Sequence, residues 1–179
     1  MVSQVFIGVA LMVGRLTPMD IVKGRPETII VESPAFQNGS RIPDKYTCSG
    51  ADVSPPLKIS GIPEDSKSLL LVMYDPDAPI GIFYHWTMYN IPVSISVLPE
   101  GVPKEPRTDY GVQGRNDFGL LGYNGPCPPV GHGVHRYYFM IAALDTLLDL
   151  RAGAGIRDVL RSARNHVIAY GVYMGTYSR

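Results

Sequence analysis

Ser68-Leu-Leu-Leu-Val-Met-Tyr74 is apolar at every position after the serine. A strand with one wet face alternates apolar and polar residues, so an unbroken run of this kind reads as a central strand covered on both faces. Asp75-Pro-Asp-Ala-Pro79 follows directly. Its two prolines have fixed φ and end the strand in a stiff turn. Arg136-Tyr-Tyr-Phe-Met-Ile-Ala-Ala-Leu144 is a second buried run. Its length leaves a helix open, but its aromatic residues favour a strand.

Working outward, Thr28–Ser33 is β-branched and stopped by Pro34, and Leu57–Ser60 alternates like a half-buried strand. Phe83–Asn90 is aromatic-rich and strand-like. Ile91–Val134 is dense in Gly, Pro, Asn and Asp, yet Tyr110, Phe118 and Tyr123 can anchor it, so it reads as an ordered loop region with short pieces of structure. One segment reads as helix: Ile156–Ala163, with an extension to Ile168 open, places Ile156, Val159, Leu160, Ala163 and Val167 on one face. Gly171 then leads into a last short strand, Val172–Tyr177. Many strands and a late helix make an all-β, sandwich-like domain.

The chain of 179 residues suits one domain, and at 45% hydrophobic and 18% charged it has material for a real core. Basic and acidic residues balance at 16 each. That removes a broad electrostatic case for nucleic acid or an anionic membrane as partner. The apolar run Val5–Val13 is too short to span a bilayer, and it lacks the flanking basic residues and cleavage site of a signal peptide. It reads as an N-terminal strand or loose extension, with residues 1–20 an extension and 21–179 the domain. No stable membrane insertion is expected, and the cytoplasm is the default location.

Cys48 and Cys127 are the only cysteines, without metal-type spacing. Two readings stay open. One is a pair of buried reduced thiols. The other is a disulfide, which would close a long loop and contribute roughly 4–5 kcal/mol on the chain-entropy model.

Three segments carry chemistry. Asp75 and Asp77 stand at the end of a rigid strand, although a plain polar turn explains them as well. In the next strand a period of two puts His85, Thr87 and Tyr89 on one face and Trp86, Met88 and Asn90 on the other. Gly125-Pro-Cys-Pro-Pro-Val-Gly-His-Gly-Val-His-Arg-Tyr137 makes a stiff loop into a strand in which His135, Tyr137 and Phe139 share a face and Arg136 takes the other. His132, inside that loop, reads as exposed.

Asp75-Pro-Asp-Ala-Pro79, then His85-Trp86, then this Gly/Pro loop resemble, in order, the signature of the phosphatidylethanolamine-binding family, which includes the Raf kinase inhibitor proteins. Cys48–Pro56, Asn116–Gly119, Gly122–Gly125 and Gly175–Arg179 resemble its bacterial and archaeal branch, over a stretch from about Thr28 to the C-terminus. The resemblance implies a large central sheet, antiparallel or mixed, packed on a smaller one, with one or two short helices. It also implies a ligand pocket for phosphate-like anions or phosphorylethanolamine headgroups, formed by Asp75, Pro79, His85, Cys127, Pro129, His135 and Tyr137. Cys127 stands where the eukaryotic branch has Gly.

These residues suggest a division of labour. A phosphate beside two aspartates is repelled, so it needs donors. Asp75 is expected to orient a histidine while His85 and His135 donate to the anion, with binding strengthening as pH falls through about 6.5. Asp77 and Arg136 are expected to form a structural ion pair, either buried and holding the loop or solvated and worth little. The main expectation is a non-enzymatic binding protein without metal or cofactor, taking a small phosphorylated or anionic ligand. The alternative is an inhibitor of a serine protease or a kinase, acting through Ile91–Thr108 with its prolines 92, 99, 103 and 106. A metal-dependent or acid–base hydrolase comes third, because neither His-Glu-x-x-His nor Gly-x-Ser-x-Gly occurs.

Overall fold

The computed structural model describes residues 15–179. The Val5–Val13 run lies outside them. Chain order is α1 (Pro18–Val22), β1 (Ile30–Glu32), β2 (Leu57–Ser60), β3 (Ser68–Asp75), β4 (Phe83–Ile91), β5 (Val97–Leu98), β6 (Arg107–Thr108), β7 (Gly111–Gln113), β8 (His135–Leu144), α2 (Ile156–Ala163) and β9 (Val167–Tyr177). A six-stranded sheet runs β6-β7-β4-β3-β8-β9 and a three-stranded sheet runs β1-β2-β5. All pairings between these strands are antiparallel.

The two apolar runs form the middle of the large sheet. β3 and β8 pair from Ser68↔Leu144 to Tyr74↔Tyr138. Their alternate residues face two cores. Leu69, Leu71 and Met73 meet Phe139 and Ile141 beneath the small sheet, while Leu70, Val72 and Tyr74 meet Met140 and Ala142 beneath the helices. α2 presents Ile156, Val159, Leu160 and Ala163 to the second core. Each such aliphatic side chain contributes about 1.5–3 kcal/mol on burial.

Two expectations need correction. α2 ends at Ala163, and Val167 opens β9 opposite Leu144 instead of extending the helix. β9 therefore starts well before Val172, and Gly171 lies inside it. A Cβ at Gly171 would come within 1.9 Å of the Ile29 carbonyl oxygen, so this glycine marks a close crossing of backbones and not a break. At the start of the described chain, the first turn of α1 is held by a reciprocal Thr17–Asp20 capping box with Pro18 at the start.

The stretch Ile91–Thr108 is pinned along its length, because Ile91 ends β4, Val97–Leu98 pairs with β2 and Arg107–Thr108 pairs with β7. No helix among the described residues is long and apolar enough to cross a membrane.

Candidate functional site

At one end of the large sheet, the tips of β3, β4 and β8 and the Gly/Pro loop enclose a cavity of ≈ 240 Å³. Asp75, Pro79, His85, Cys127, Pro129, His135 and Tyr137 all line it. Phe83, Phe118, Ile80, Ala78 and Pro128 complete the wall and were not anticipated as lining residues. Phe83 was legible, since it sits two positions before His85 and shares its side of the strand. Phe118 packs edge-on to Phe83 at 4.8 Å and to His85 at 5.5 Å. None of the lining residues is Lys or Arg.

His85 reaches this cavity because β4 is irregular. Met73 pairs with Trp86, but the next residue of β3, Tyr74, pairs with Tyr84. His85 is the extra residue of a bulge, which resets the alternation. Strict alternation therefore placed His85 wrongly, away from Trp86. In the structure Trp86 enters the core beneath the small sheet, and His85 stands edge-on to Tyr137 of that same core at 5.3 Å.

The buried polar groups have defined partners. Asp75 Oδ1 accepts from the Asp77 backbone N–H at 2.7 Å, and Asp75 Oδ2 meets His135 Nδ1 at 2.7 Å. His85 Nδ1 meets the Asn124 carbonyl at 2.8 Å, so the neutral ring donates there and leaves Nε2 without a proton. Burial pushes the His85 imidazole below its ordinary value, while the Asn124 carbonyl and the charge of Asp75 act the other way. Tyr137 Oη is fully buried and makes no hydrogen bond of good geometry, with the Asp75 carboxylate as its polar neighbour. Burial, and next the negative charge of Asp75, raise its pKa and keep it a phenol.

The expected donors are thus engaged in the structure. His85 offers an acceptor unless it takes up a proton. His135 has both ring nitrogens engaged, because Nε2 lies 2.7 Å from Nδ1 of His132. His132 is exposed, as read, but it is joined to the site through His135. A third histidine three positions from His135 was the available signal.

The loop that carries Asn124 is itself fixed. Asn116 Nδ2 donates to Asn124 Oδ1 and to the Gly122 carbonyl, each at 2.9 Å. Asn124 Nδ2 donates to Asp52 Oδ2 at 2.9 Å, and the Gly125 N–H to Asp52 Oδ1 at 2.6 Å. Cys48 and Cys127 are joined as a disulfide, so the cavity wall at Cys127 is tied to the segment that carries Asp52. The reading of two reduced thiols gives way to this bond. The Cys48 N–H also donates to the Pro126 carbonyl at 3.1 Å, which brings the two sulfurs within bonding reach.

Arg136 points away from the cavity and grips Asp77. Its Nε donates to Oδ2 at 2.8 Å, a terminal nitrogen to Oδ1 at 2.7 Å, and its backbone N–H to Oδ2 at 2.9 Å. Arg136 holds the Asp77 carboxyl below the usual range. Of the two readings of this pair the solvated one holds: the Arg136 side chain is 50% exposed, because residue 136 projects from the outer face beside a turn open to solvent. Among the described residues no group of three or more His, Cys, Asp or Glu is arranged to hold a metal.

The family model for phosphatidylethanolamine-binding proteins matches residues 32–178. A UPF0098 protein of Pyrococcus abyssi is 47% identical over 174 residues, covering 96% of this chain and 97% of its own. Among solved structures, Escherichia coli YbcL, described as a new member of the mammalian PEBP family, aligns with a TM-score of 0.79 at 33% identity over 85% of this chain and 99% of its own. A phosphatidylethanolamine-binding protein homologue from Chlamydia trachomatis aligns with a TM-score of 0.78 at 39% identity, covering 86% and 99%.

Proposed function

Since the chain belongs to the phosphatidylethanolamine-binding protein family, we propose that it is a non-enzymatic binding protein for a small anion, phosphate-like or phosphorylethanolamine-like, held in the cavity at Asp75, His85, His135 and Tyr137. The observation that carries this reading is the cavity that Asp75, His85, His135 and Tyr137 line together, with the buried Tyr137 hydroxyl making no hydrogen bond of good geometry. Leaving such a group unsatisfied costs about 1–3 kcal/mol, and an oxyanion that accepts from it recovers that cost. A zwitterionic headgroup adds an ammonium that can face Asp75. Asp77, engaged by Arg136, does not line the cavity and adds no direct repulsion there. The apolar wall of Pro79, Ile80, Phe83 and Phe118 suits a carbon substituent.

His85 has its only free nitrogen unprotonated in the neutral ring, so donation to the anion requires proton uptake. Burial holds the His85 imidazole below its ordinary value of about 6.5, so binding strengthens as pH falls below that value. Titration calorimetry with phosphate and with phosphorylethanolamine tests this, using buffers of different ionisation heat to count protons. The expected result is proton uptake on binding and tighter binding at acid pH, both lost in His85→Gln. Equal affinity at acid and alkaline pH, without proton uptake, overturns the reading.

A further inference from the structure

A second groove, of ≈ 330 Å³, adjoins the cavity at Ile80, the one residue that their linings share. The chain before α1, the turn into β4 and the first turn of α2 form its walls. The cavity has no Lys or Arg, whereas the groove has Arg15 and Arg157 against a single carboxylate, Asp117. Neither arginine makes an ion pair among the described residues. A guanidinium keeps its charge at any ordinary pH, so the excess of positive charge is permanent. Asp117 is already engaged, since its Oδ2 accepts from the Tyr84 backbone N–H at 2.9 Å.

Tyr84 points to a ligand independently of these charges. It is only 8% exposed, with its ring in the core beneath the helices, and it lines the groove. Its hydroxyl makes no hydrogen bond among the described residues, and unlike that of Tyr137 it is not fully enclosed. Burial pushes the phenol up to about 12, so the group stays a donor that needs an acceptor from outside the protein. The start of α2 adds to this. Gly155 supplies no side-chain cap, so the N–H groups of Ile156 and Arg157 have no partner within the helix and favour a negative group beside them. Leu16, Ile80, Ile82 and Ile156 make the rest of the groove aliphatic.

We propose that this groove is a second ligand site, for a small amphiphilic anion: a carboxylate or phosphate group held by Arg15, Arg157 and the Tyr84 hydroxyl, with a hydrocarbon tail against Leu16, Ile80, Ile82 and Ile156. The head group accepts from the two guanidiniums and from Tyr84 Oη, which supplies the acceptor that the phenol lacks. The tail covers aliphatic surface that is otherwise open to water. Neither His85 nor His135 takes part, and the site does not depend on the anion reading of the neighbouring cavity.

The test titrates the full chain with octanoate and with octyl phosphate, using acetate and inorganic phosphate as probes without a tail. Arg157→Gln should weaken both octyl probes about tenfold, the effect of one hydrogen bond to a charged group. Tyr84→Phe, which keeps the ring in the core, should weaken them roughly fivefold. Arg161→Gln removes a charge from the same helix outside the groove and should leave binding unchanged, as should His85→Gln in the cavity. Acetate should bind at least tenfold more weakly than octanoate. Octyl probes that bind wild type and Arg157→Gln equally, or that do not bind wild type, overturn the site. An equal loss in Arg161→Gln reduces it to general electrostatics and overturns it too. A loss in His85→Gln alone puts the probes in the cavity instead, which counts against the groove while supporting the cavity reading. Acetate as tight as octanoate overturns the amphiphilic class.

Discussion

Asp75 and Asp77 stand two residues apart on one turn, and each is paired with a base at the start of β8. The inner side chains, Asp75 and His135, are 4% and 2% exposed, whereas the outer ones, Asp77 and Arg136, are 27% and 50% exposed. Alternation along β8 sends His135 inward and Arg136 outward, and the turn does the same for the aspartates. The difference shows that an ion-pair motif has no fixed energetic meaning. Outside, water screens the pair and limits its worth. Inside, an unsatisfied donor or acceptor is costly, so the loss of one group is felt by its partners.

The sharpest way to break this contrast is Asp75→Ala, which leaves the Asp77 N–H and the His135 Nδ1–H without their acceptor. The expected loss of stability is about 2–4 kcal/mol by urea denaturation. A loss as small as that of the outer pair would mean that burial does not set the difference. Tyr137→Phe removes the hydroxyl that makes no hydrogen bond of good geometry. It should stabilise the protein by about 1 kcal/mol while weakening phosphate binding roughly fivefold. A variant that loses stability would place a partner on that hydroxyl in the unliganded protein.

Acid titration separates the two sides again. Because the His85 imidazole is depressed in the folded state, the unfolded chain takes up its proton first. Stability from this residue is full above about pH 6.5 and declines as pH falls below it, a slope that His85→Gln should remove. The Asp77 carboxyl is also depressed, so its contribution is full above about pH 4 and is lost only as pH falls further. Asp77→Ala should therefore cost less than about 1 kcal/mol at neutral pH, shrinking in strong acid, with phosphate affinity within about twofold of wild type. Thermal melts and calorimetry at matched pH check both parts.

The central frame was legible because β3 and β8 are so uniformly apolar that no other role suits them. The cavity residues were legible through the family signature, and Arg136 through strict alternation. His85 was placed by the same alternation and came out on the wrong face, since a bulge is written in pairing register and not in local composition. Gly171 misled in the opposite way. Its role depends on Ile29, far away in sequence, approaching its Cα, which no local pattern reveals. The Thr17–Asp20 capping box was visible in the chain but is brief beside the strand signals. His132 was judged alone, and its significance comes from the neighbour it meets.

The pairing of β3 with β8 has a kinetic consequence. Asp75 and His135 are separated by 60 positions, and the Cys48–Cys127 bond spans 79. Contacts this distant in sequence must await closure of long loops, so they form slowly compared with local structure. No fragment that lacks the pairing brings the two residues together. The cavity therefore comes into being with the whole sheet, and the proposed ligand would stabilise only the finished molecule. Occupancy of the site should report complete folding, rising and falling with the global transition and not with any local one.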